Sequence, residues 1–214
     1  MGPLAKVPVG QAQLLKDVVV DRPRLLLVGI NPGLRSGAVG HHFAGNGNPF
    51  WRLLHAARLT PVLIDYSEDQ RLAEFGIALT NLCPRTTRTA AELSRTELAR
   101  GHRVLARKIA AWRPAVVALV GVSLYRTYFG AAAGPGPGPK RETIAESRIF
   151  VVPNPSGLNA SFPGFDSKLI WFKRLRVFVD RVVRDGESES RGRSAAPPRE
   201  VRRGRARGPS QGPR

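Results

Sequence analysis

The stretch RLLLVGINPG, Arg24–Gly33, decides the fold. Its apolar residues follow one another without polar alternation, and a turn sequence closes the run at once. A strand with one wet face alternates polar and apolar residues. An unbroken run needs cover on both faces, as in a parallel sheet. Three further runs share this character: Gly76–Thr80 (GIALT), Ala115–Gly121 (AVVALVG) and Ile149–Pro153 (IFVVP). Between them the pattern turns helical. Ser94 and Glu97 have the spacing of a capping box. Behind it Leu98, Leu105, Ile109 and Trp112 form one stripe, with Arg100, Arg103 and Arg107 largely off it, and Pro114 ends the helix. Phe50–Leu59 and Ser167–Val183 are predicted as further helices, with Gly130 as a helix stop. Strands alternating with helices predict an α/β fold, a three-layer α/β/α sandwich around a mostly parallel sheet.

Composition sets the outer limits. The chain has 214 residues, of which 42% are hydrophobic, enough for one domain with tails. Residues 1–20 are predicted as an N-terminal extension and 21–184 as the folded domain. Residues 185–214 are predicted as a disordered basic tail rich in Arg, Gly and Pro, because such a segment has too little apolar surface to offset its ordering entropy. Within it, residues 191–214 carry eight Arg and one Glu, or +7, which leaves +11 of the net +18 on the rest. The body is therefore basic too, which favours a polyanionic partner over a merely Arg-rich composition. The single cysteine, Cys83, excludes an internal disulfide and a four-cysteine cluster and fits a reducing compartment. The first twenty residues lack the pattern of a signal peptide, and no apolar run approaches the roughly 18 residues of a membrane span. Four His and one Cys without ligand spacing predict no metal. No P-loop, dinucleotide fingerprint or nucleophile elbow is present.

In open parallel sheets ligands bind beyond the carboxyl ends of the strands. The unusual polar segments of this chain fall there: Gly29–Gly33 after the first run, Asn81 and then Arg85, Thr86 and Thr87 after the second, and Asn154–Asn159 after the last. Each alone is an ordinary turn sequence. Several at strand ends predict one shared site.

Taken together, GINPG (Gly29–Gly33), GHHFAGNGNPFW (Gly40–Trp51), GIALTNLCPRTT (Gly76–Thr87) and NPSGLN (Asn154–Asn159) resemble the mismatch-specific uracil and thymine DNA glycosylases. The likeness runs from about Leu25 to about Phe178, with the motifs in the same order. The middle motif resembles the thymine-processing branch, and NPSGLN the bacterial uracil branch.

The resemblance implies a monofunctional glycosylase of base excision repair. It would act on double-stranded DNA holding G·U or G·T mismatches, as a monomer without a cofactor in the bacterial cytoplasm. The target nucleotide must leave the stack to be reached. Phe43, Asn81 and the backbone near Ile30 would hold the base. An aromatic face is worth roughly 1–3 kcal/mol of stacking, and an amide offers both donor and acceptor. From the residues alone, Phe43 fits a core aromatic as well. Gly157, Leu158 and Asn159, with Ser156 and Asn154 beside them, would enter the duplex and read the orphaned guanine. From the residues alone Leu158 can also be read as a buried residue after a turn, and Ala160 stands where many relatives carry Arg. Asn31 would orient the attacking water, where related strong glycosylases have a carboxylate, so turnover would be slow. His42 would position water or a phosphate. Arg85 and Thr87, with Thr86, either contact the DNA backbone or brace the pocket. No motif lysine is available for a Schiff base, which argues against lyase activity. Two other readings remain: a non-catalytic DNA-binding module, and a glycosylase for other deaminated bases such as hypoxanthine.

Overall fold

The computed structural model describes residues 14–130, 133–157 and 159–194. The four apolar runs form strands β1 (Leu25–Gly29), β2 (Ile77–Asn81), β3 (Val116–Val120) and β5 (Ser147–Val152). A fifth strand, β4 (Gly138–Ile144), completes a sheet of order β2-β1-β3-β5-β4. All pairings are parallel except β4 with β5. The helices are α1 (Leu34–Val39), α2 (Phe50–Ala56), α3 (Arg95–Trp112), α4 (Val122–Phe129) and α5 (Asp166–Ser194), with 3-10 turns at Tyr66–Phe75 and Ala90–Glu92.

Successive strand residues point to opposite faces, and both faces are dry. Leu25, Leu27, Leu79, Ala118 and Phe150 pack toward α2 and α5. Leu26, Val28, Ala78, Val117 and Ile149 pack toward α3 and α4. This is the α/β/α sandwich that the unbroken runs required. Leu105 and Ile109 of the expected stripe are buried beneath α3, and Ser94 and Glu97 form its capping box. Among the described residues no helix is long and apolar enough to cross a membrane.

Four expectations are corrected. Strand β4 was not foreseen, because it carries the charged residues Lys140, Arg141 and Glu142 and lies antiparallel at the sheet edge. Helix α2 stops at Ala56, short of Leu59, where Arg58 takes a left-handed conformation with φ of 58°. Residues 14–20 are not a mere extension: Val18 is fully buried and exchanges two backbone hydrogen bonds with Leu79, of 2.9 and 3.0 Å. Helix α5 runs to Ser194 and so takes in the first ten residues of the expected tail. Low apolar content did not stop it, because a helix already anchored by buried Phe172, Leu175 and Val179 does not have to be nucleated again to continue. The rest of the expected tail, 195–214, lies outside the described residues.

Candidate active site

The carboxyl ends of β1, β2 and β3, with the segment after β5, meet in a cleft of about 410 Å³, within the roughly 300–1,000 Å³ typical of small-ligand sites. Its walls include Ile30, Asn31, His42, Phe43, Asn81, Thr87, Asn154 and Ser156. Those predicted residues are therefore brought together. Arg85, Gly157 and Asn159 stand outside the cleft, and Leu158 lies outside the described residues.

Asn31 is held by its nitrogen. Nδ2 donates to the carbonyls of Arg85 (3.0 Å) and Pro32 (3.2 Å) and to Thr87 Oγ1 (2.7 Å). Thr87 Oγ1 gives its own proton to the Thr89 carbonyl at 2.7 Å, so toward Asn31 it accepts. Three acceptors around one end of the amide fix which end is nitrogen. The carbonyl oxygen, Oδ1, takes no part in these bonds and remains the end for a ligand or water.

The loop that grips Asn31 is itself braced. Thr87 N donates to the Pro32 carbonyl at 3.1 Å. The Arg85 guanidinium pairs with Glu97 and donates to the Glu92 carbonyl at 2.7 Å. These contacts let the exposed Arg85 side chain brace the loop. The Arg85 contact, then hydrogen bonds from the Ser94 backbone and hydroxyl, hold the Glu97 carboxyl down at about 2 from an ordinary 4.5. A folded-state value below the unfolded one stabilises the fold above about 4.5, and this contribution fades as pH falls toward about 2. We expect the thermal midpoint of the Glu97→Gln variant to vary less with pH across that window than that of the wild type. Parallel curves would show that the pair is without consequence.

His42 is buried, at 1% exposure. Its backbone N–H donates to Asp69 Oδ2 at 3.0 Å, its Nε2 lies 3.2 Å from the Lys16 carbonyl, and its Nδ1 lies 3.3 Å from Asn81 Nδ2. Burial pushes its pKa below the usual histidine value, against the opposing pull of Asp69. Both ring nitrogens are thus engaged by protein groups. Asp69 also meets His41 Nδ1 at 3.2 Å. This buried carboxylate comes from the 3-10 turn Tyr66–Phe75, and no motif announced it.

Phe43 has a φ of 51°, a left-handed conformation rare for an aromatic residue. The turn lays its ring on Phe50, with centroids 3.8 Å apart and planes 16° from parallel. One face is thereby covered, and the half-buried ring also lines the cleft. Gly29 lets the floor close up. A Cβ there would collide with Asn81 Oδ1 and lie 3.4 Å from Phe43 Cζ.

The segment after β5 holds itself in shape. Asn154 Oδ1 accepts from Ser156 N at 2.9 Å, and Asn159 Nδ2 donates to the Asn154 carbonyl at 2.9 Å. Gly157 is exposed. At the mouth of the cleft lie exposed Arg35 and Arg88, which sequence reasoning passed over. Their place beside the GINPG and PRTT motifs was the available signal. Among the described residues there is no cluster of groups suited to a metal, and those lining the cleft include no carboxylate, lysine or cysteine. Such a site can stack a planar ring, read its edge with an amide and orient water. The model of the uracil DNA glycosylase superfamily matches residues 16–176 of the chain.

Proposed function

The chain belongs to the uracil DNA glycosylase superfamily, and from that membership we propose that it is a monofunctional glycosylase that removes uracil, and more slowly thymine, mispaired with guanine in duplex DNA. The observation that carries this reading is the immobilised Asn31 amide in a cleft whose described walls hold no carboxylate. An amide cannot take a proton near neutral pH, so it orients water by its oxygen alone. A true general base is worth roughly 10²- to 10⁴-fold. An enzyme without one is suited to bases in weakened pairs, whose extrusion costs least. Phe43 is the stacking face and Asn81 the edge reader, with Ile30 beside them. The absence of lysine from the described walls supports hydrolysis over Schiff-base chemistry. Leu158, between Gly157 and Asn159 in the sequence, is the wedge. Apolar side chains commonly fill base steps in this way.

The test is a panel of duplexes, each with one modified base, treated with alkali after incubation to cut abasic sites. Uracil opposite guanine should react about ten- to a hundredfold faster than uracil opposite adenine, the worth of one good contact pair at roughly 1–3 kcal/mol. Equal rates on U·G, U·A and single strands would make this a general uracil glycosylase. No product on any duplex would leave a binding module, and release of hypoxanthine ahead of uracil would point to a broader range.

Residues 195–214 are proposed to raise DNA affinity without setting specificity. Because α5 runs to Ser194, the informative truncation ends there. Each lost phosphate contact should reduce the slope of log affinity against log salt by about 0.9, while the U·G preference stays. An unchanged slope would mean the tail does not touch DNA.

A further inference from the structure

The chemistry of His42 deepens the proposed function, on which the following rests. We infer that His42 is a positioning residue: its ring, with the tautomer set by the Lys16 carbonyl, fixes the Asn81 amide so that the pocket reads uracil and rejects cytosine.

The orientation of an amide cannot be read from the positions of its heavy atoms alone; here it follows from the partners. A backbone carbonyl only accepts, so His42 Nε2, 3.2 Å from the Lys16 oxygen, carries the proton. In a neutral ring the other nitrogen then holds a lone pair. Nδ1 therefore accepts, and the Asn81 group 3.3 Å away must be the N–H of Nδ2. Reversing the amide would set Asn81 Oδ1 against Nδ1, two acceptors face to face and a buried hydrogen bond lost. The charged groups facing the ring are Asp69, Asp17 and Lys108.

The Lys16 carbonyl is not loose. Val18 pairs with Leu79 through two backbone hydrogen bonds. Asp17 forms an ion pair with Lys108 at 2.6 Å and accepts from Thr80 Oγ1 at 2.6 Å. Gln70 Nε2 also donates to the Lys16 oxygen, at 3.3 Å. A strap crossing the end of β2 thus sets the hydrogen-bond polarity of the last residue of that strand.

That polarity matches one pyrimidine edge. Uracil presents N3–H as donor and O4 as acceptor, and thymine does the same. Cytosine presents N3 as acceptor and its amino group as donor. With one Nδ2 hydrogen committed to His42, Asn81 offers the other hydrogen to O4 and its Oδ1 to N3–H. Cytosine would meet donor against donor and acceptor against acceptor. Discrimination by one bidentate pair is worth roughly tenfold to a hundredfold.

The test combines spectroscopy with two variants. Long-range ¹⁵N–¹H correlation on the wild-type full chain should show His42 protonated on Nε2 and bare on Nδ1. An asparagine side chain reaches the Nδ1 position, and a glutamine side chain the Nε2 position. His42→Asn keeps the partner of Asn81, and His42→Gln keeps only that of Lys16. Binding is compared for duplexes holding uncleavable 2′-fluoro-deoxyuridine or 2′-fluoro-deoxycytidine, each opposite the same abasic analogue. The wild type and His42→Asn should favour uracil, and His42→Gln should lose at least about tenfold of that preference. A proton on Nδ1, or an equal change of the ratio in both variants, overturns the relay. Wild-type protein that releases no uracil from any duplex would sink the proposed function instead, while the ring spectrum would still report the tautomer.

Discussion

Asn31→Ala is expected to slow base release by at least about a hundredfold and to leave binding of an uncleavable U·G duplex nearly unchanged. A water displaced by about 1 Å from its productive position already costs on the order of a hundredfold. Because the Asn31 oxygen would act on water in the transition state, the loss should appear in the single-turnover rate and not in affinity. Asn31→Asp should not gain a base. Its second carboxylate oxygen would face the carbonyls of Arg85 and Pro32, where Nδ2 now donates. Like partial charges there disfavour the ionised form and dislodge the loop, so this variant should also be slow near neutral pH. Equal loss of binding and release in Asn31→Ala would show a structural role only. An Asp variant faster than the wild type would show that the surrounding carbonyls do not dictate the chemistry.

Gly29→Ala should do comparable damage by a different route. The added methyl meets Asn81 Oδ1 and touches Phe43 Cζ, so the edge reader and the stacking face must both move. Uracil release is expected to fall by about a hundredfold or more, since misplacement of this size is enough. The thermal midpoint should fall far less, because Asn81 is a half-buried polar side chain at a strand end. Gly33→Ala is the matched control: a Cβ there meets nothing within 4 Å. If Gly29→Ala retains wild-type release, the close floor does not matter. If it fails to fold, single-turnover rates of the Asn81→Ala variant test the same contact.

What the sequence determined by itself is the sandwich and the edge of the sheet that carries the site. Unbroken apolar runs such as Leu25–Val28 can be buried only between two layers, and polar turns at strand ends have one place to converge. The motifs pointed to the superfamily for the same reason, since residues that must meet a base or water tolerate few alternatives. What only the tertiary structure decided are the hydrogen-bond partners. Whether Arg85 touches DNA or braces a loop depends on Glu97, twelve residues on and brought near by α3. The part played by His42 depends on the Lys16 carbonyl, in a segment that reads as an extension, and on Asp69, in a turn without periodicity. Backbone carbonyls leave no trace in residue types, and a buried polar group draws its meaning from whichever donor or acceptor the fold sets beside it.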